Sequence, residues 1–113
     1  MNEEKDLLDN INDYLKQAKK ARGESANVAF TLYFKALAIL TDLFILKKEG
    51  FIPSNHSEKF RLLENKYPFL YQIMDKNFPV YQRSYSTKLS KEHINLIEDD
   101  IEKSIKFTGI KIN

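Results

Sequence analysis

The residues best suited to chemistry gather near position 80, where Tyr81, Arg83, Tyr85 and Lys88 alternate rings with positive charge. Aromatic faces interleaved with cations suit a nucleotide or single-stranded RNA, because bases stack and phosphates take a charge-assisted hydrogen bond. The same tyrosines would equally well cap the open end of a helical core. His56 stands beside Asn55 and Ser57, where a helix begins, so it reads as a cap or an interhelix hydrogen bond before it reads as a catalyst. The free N–H groups of such a helix start could also hold a phosphate oxygen. His93 lies in the first turn of the last helix, where the dipole disfavours a cation and a neutral surface histidine is the default.

Other chemistries find little material. The two histidines are far apart and cysteine is absent, so no metal site, thiolate ligand set or disulfide framework is expected. Asp99 and Asp100 are adjacent, which points them in different directions on a helix rather than pairing them. A Gly-rich phosphate loop, a Gly-x-Ser-x-Gly elbow and an HExxH pair are all missing, and no cofactor is expected. The formal charge of +2 imposes no global field, so any contact with RNA has to come from a local patch.

The elements that must position these side chains read as helices throughout. The chain of 113 residues is long enough for one core, and its 42% hydrophobic and 30% charged residues suit a soluble globular domain covering 1–113. Glycine and proline occur three times each, too few for a loop-rich β sandwich. The acidic start, MNEEKDLLDN, is unlike a signal peptide and the expected location is cytoplasmic.

In the first helix Leu7, Ile11, Tyr14, Ala18 and Ala21 recur at helical spacing, with Asn2 as N-cap and Gly23 as the residue beyond the end. Lys19, Lys20 and Arg22 collect near its C-terminus; they could touch phosphate, but complementing the helix dipole is the preferred reading. Ser25 caps a second helix to about Glu49 that is apolar around most of its circumference. Lys35 and Asp42 interrupt it before a membrane-spanning length of about 18 apolar residues is reached. Its surplus of apolar surface predicts a second copy of the chain packed against it, a homodimer. Gly50 and Pro53 end this helix, and Asn55 with Glu58 has capping-box spacing. Phe60, Leu63 and Tyr67 face inward until Pro68, which breaks or kinks the third helix; Asn77 to Pro79 ends it. Residues 79–89 are the least decided. Ser90 then caps a last helix with Ile94, Ile97, Ile101 and Ile105 inside, closed by Gly109. The expected fold is all-α, an up-and-down four-helix bundle with a kinked or split third helix.

Ala29, Tyr33, Phe34, Ala36, Leu37, Ile39 and Leu40, followed by Gly50, Pro53 and Asn55-His56-Ser57, form an ordered pattern. With Arg83-Ser84-Tyr85-Ser86 further on, it resembles the HEPN superfamily over about residues 5–107. These are small helical domains of toxin–antitoxin pairs and of proteins encoded beside minimal nucleotidyltransferases. The resemblance implies a dimer, a nucleotidyltransferase as partner, and His56 bordering the same cleft as Arg83. It also raises metal-independent RNA cleavage through an Arg-x4–6-His motif. Here nine residues separate Arg83 from His93, and His56 precedes Arg61 in the wrong order. The expectation is therefore a non-catalytic, homodimeric domain that serves a nucleotidyltransferase either as an interaction partner or as a nucleotide- or RNA-binding accessory. The alternatives are a divergent ribonuclease using Arg83 and His93, and a structural bundle with no ligand.

Overall fold

The computed structural model describes residues 3–113, so the proposed Asn2 cap lies outside the described residues. Within them the chain is all-α, with five helices: α1 Glu3–Ala21, α2 Ala26–Glu49, α3 His56–Lys66, α4 Pro68–Arg83 and α5 Lys91–Thr108. Several boundaries follow from local chemistry. Ser25 Oγ accepts the Val28 N–H at 3.2 Å, and Asn55 Oδ1 accepts the Glu58 N–H at 2.9 Å. Each side chain satisfies a backbone donor that the first helical turn leaves free. Gly50 and Gly109 close α2 and α5 at φ 88° and 71°, a left-handed conformation that costs glycine no Cβ clash. Gly23 differs from expectation: its φ is not positive, and the α1–α2 turn closes instead by Ser25 N–H bonding to Ala21 O at 2.8 Å.

α2 is the centre of the core. Phe30, Leu37, Leu40, Leu43 and Ile45 are almost wholly buried, against Ile11 and Ala18 of α1, Leu63 of α3, Leu70 and Met74 of α4, and Ile94 and Ile97 of α5. By length and composition α2 could cross a membrane, but 61% of its apolar window is buried inside the protein, as befits a core helix. The polar strip of Thr31, Lys35, Ala38 and Asp42 is partly covered, since Lys59 of α3 is buried with its Nζ 2.9 Å from Asp42 Oδ1.

Cross-helix pairs fix the directions. Lys47 meets Glu4 at 3.0 Å, so α1 and α2 form an antiparallel hairpin. Lys59 pairs with Asp42 and Lys66 with Glu49, so α3 runs alongside α2 in the same sense. Tyr67 packs on Phe44 while Tyr81 packs on Phe34, so α4 runs back the other way. The segment around Pro68 is therefore split rather than kinked, and the chain reverses there. The cause lies in Tyr67, whose φ of −135° and ψ of 65° are non-helical, as the residue before a proline is driven to be. Pro68 then opens α4 at a position where no N–H is needed.

Pro79 does not end α4, which continues to Arg83. A proline inside a helix deprives the carbonyl four residues earlier of its donor. That carbonyl belongs to Asp75, and both Asp75 and Pro79 are exposed residues, where a carbonyl without a helical partner costs far less than in the core. α5 packs antiparallel to α4, with Asp100 buried between them. Its carboxylate accepts from Asn77 Nδ2 at 2.9 Å and pairs with Lys76 Nζ at 2.9 Å. Asp99 points to solvent, as adjacent positions on a helix require.

Candidate nucleotide-binding surface

The extension of α4 changes where the singled-out residues sit. Tyr81 and Arg83 belong to the last turn of a rigid helix, not to an irregular segment; Tyr85 and Lys88 follow in the connection to α5. That connection is well tied down. Ser84 N–H bonds to Val80 O at 3.0 Å, and Thr87 N–H to Arg83 O at 2.9 Å. Asn27, in the first turn of α2, holds it from across the core. Its Nδ2 donates to Ser84 O at 2.9 Å and Thr87 O at 2.7 Å, and its Oδ1 accepts the Leu89 N–H at 2.9 Å. One amide side chain thus satisfies three backbone groups that no helix ladder reaches.

The aromatic residues form a continuous ladder rather than isolated rings. Tyr81 stacks on Phe34 at 4.6 Å between centroids, with Phe78 6.0 Å from Phe34. His56 lies 5.1 Å from Phe78, and Phe60 lies 5.6 Å from the same ring. Tyr85 stands edge-on to Tyr81 at 6.1 Å and is 81% exposed. A hydrogen bond with Tyr85, and then partial burial, push the Tyr81 phenol above its ordinary range. Tyr81 is consequently a packing ring with one face already taken, whereas Tyr85 offers an open one.

Arg83 and Lys88 are exposed, and neither makes an ion pair among the described residues. His56 joins the tyrosines through Phe78, so the ladder brings together residues that are far apart in sequence. Its own helix start is capped by Asn55, with the Glu58 carboxylate accepting the Ser54 N–H.

His93 serves a different purpose. Its Nδ1 accepts the Ser90 N–H at 3.1 Å and lies 3.0 Å from Ser90 Oγ, a capping arrangement with imidazole where glutamate or glutamine is usual. One ring nitrogen is thereby committed to the helix start, leaving Nε2 alone for proton transfer. Among the described residues no group of three or more potential metal ligands comes together. Two grooves, of about 500 and 820 Å³, lie along α1 and include none of Tyr81, Arg83, Tyr85, Lys88, His56 and His93. The candidate surface offers the exposed ring of Tyr85 and the exposed cations Arg83 and Lys88, a combination suited to stacking and charge.

Sequence reasoning missed Asn27, whose signal is faint: one amide in the first turn of an otherwise apolar helix. It also missed the network around Tyr33 and Glu98. Arg22 donates to both Glu98 oxygens, at 2.7 and 2.8 Å, and to Asn95 Oδ1 at 2.9 Å, while the Tyr33 O–H donates to Glu98. Arg22 thus does more than complement the α1 dipole, because it anchors the end of α1 to α5. No family model, no curated protein and no solved structure matches this chain.

Proposed function

We propose that the protein is a non-catalytic, HEPN-like helical domain of the up-and-down four-helix type, with α3 as the detached half of its third helix. It binds a nucleotide or single-stranded RNA on the Arg83 face. The observation that carries this reading is an open ring, Tyr85, standing in a connection fastened by Asn27 between two exposed cations, Arg83 at the end of α4 and Lys88 in the connection, that make no ion pair among the described residues. A rigid ring loses little entropy on stacking, and a guanidinium without an internal partner needs no ion pair broken before it meets a phosphate. In this reading the protein is cytoplasmic, homodimeric, and an accessory to a minimal nucleotidyltransferase in a toxin–antitoxin type of pair.

Cleavage is not part of the proposal. Nine residues separate Arg83 from His93, and the His93 Nδ1 is spent on the Ser90 N–H. The test is incubation of the protein with defined single-stranded RNA in the absence of metal, alongside a labelled oligoribonucleotide in a binding titration. Intact RNA with saturable binding that Tyr85→Ala weakens is the expected result. Robust cleavage abolished by both Arg83→Ala and His93→Ala would replace the binding role with a ribonuclease.

A further inference from the structure

The groove of about 820 Å³ between α1 and α5 lies away from the Arg83 face, and its size falls within the roughly 300–1,000 Å³ usual for small-molecule sites. The Arg22–Glu98 pair at one end and the Asn113 N–H bonded to Asn12 Oδ1 at the other set α1 and α5 antiparallel along it. Between these ends Ile101, Ile105 and Ile112 make an apolar floor. From Glu98 to Ile105 the helical rise alone gives roughly 10 Å of length.

The two ends differ in charge. Lys19 and Lys20 line the groove together with Glu98, whose carboxylate is already held by Arg22 and by the Tyr33 hydroxyl. Lys16, Lys19 and Lys20 make no ion pair among the described residues. The unpaired carboxylates in the lining, Asp13 and Glu102, are fewer than these lysines. With Arg22 neutralising Glu98, the balance favours an anion. Lysine stems also cover apolar surface while leaving the ammonium in water, which suits a ligand with a charged head and an apolar tail.

We propose that this groove binds a medium-chain amphiphilic anion, its head at Lys19 and Lys20 and its tail on Ile101, Ile105 and Ile112. The site is independent of the nucleotide-binding face. Anilinonaphthalene sulfonate, itself an apolar anion, is the probe, with decanoate and decylammonium as competitors of equal tail and opposite charge. Saturable fluorescence enhancement is expected, reversed by decanoate and not by decylammonium. The Lys19→Gln/Lys20→Gln double variant should weaken binding about tenfold through loss of charge-assisted contacts. Both lysines are exposed, so the fold is retained, as a circular dichroism melt would verify. Ile112→Asn, which lies beyond the last helix, should weaken the probe without removing a helical core residue. Binding that is absent, unchanged in the lysine variant, or displaced equally by decylammonium would overturn the site; in the unchanged case the dye would be reporting exposed rings such as Phe69 and Phe107.

Discussion

At the scale of single residues, position is set by contacts that no local pattern encodes. Asn27 reaches partners 57, 60 and 62 residues away, and with the buried Leu89 it ties the Tyr85 loop to the core. Asn27→Ala should lower stability by about 1–3 kcal/mol, the cost of leaving partly buried backbone groups unpaired, and urea denaturation would measure it. The same variant should also weaken RNA binding, because an unfastened Tyr85 must be ordered on contact. Tyr33 makes a second residue-scale prediction. Burial first, then the hydrogen bond to Glu98, raise its phenol above the ordinary value of 10.0, and the neighbouring Arg22 offsets only part of this. A group whose folded-state pKa is raised stabilises the fold fully below its unfolded value. That stabilisation is lost as pH climbs toward the folded value. Stability should therefore fall above about pH 10, and Tyr33→Phe should lessen that fall. A melt series from pH 8 to 11 in both proteins would check it, and equal slopes would remove Tyr33 as the cause.

Helix capping was largely legible in the sequence because it depends on neighbours within one turn. Ser25, Gly50, Asn55, Ser90 and Gly109 all end helices where their chemistry implies. Among the prolines Pro79 ran against expectation, whereas Pro68 divides the third segment and opens α4 as a helix breaker can. Pro68 was readable as a helix breaker, but its reversal of the chain depends on Phe44 and Glu49 receiving Tyr67, which are tertiary contacts. Pro79 was read as a stop, yet the penalty is smaller where the residue that carries the orphaned carbonyl is exposed. The irregular segment shrank accordingly, and half of the candidate surface moved onto a helix. The ladder from His56 to Tyr85 was not legible, since it needs α2, α3 and α4 packed together. Gly50 offers the sharpest test at this scale, because its φ of 88° penalises any side chain although no neighbour crowds it. Gly50→Ala should cost about 1 kcal/mol from backbone strain alone, and Asn55→Ala about as much through the lost cap.

At the scale of the whole molecule, α2 carries the fold, since it supplies the largest share of a single buried core that residues of the other four helices complete. Leu37→Ala should destabilise by about 2–5 kcal/mol, a core cavity cost measurable by denaturant titration. The proposed dimer rests on the apolar sequence of α2, but the fold buries most of that surface and leaves Val28 as its one exposed large apolar side chain among the described residues. Sedimentation equilibrium at micromolar concentration should give twice the 13.3 kDa of one chain, and a constant 13.3 kDa would remove the dimer from the proposal. The binding face itself is tested most directly by isothermal calorimetry of a single-stranded oligoribonucleotide against wild type and Arg83→Ala. The account predicts a loss of about 1–3 kcal/mol for one charge-assisted contact, and a salt dependence shallower by about 0.7 for one phosphate, with helicity unchanged. An Arg83→Ala protein that binds as tightly as wild type, or one that melts sharply earlier because Arg83 is a packing residue, would contradict it.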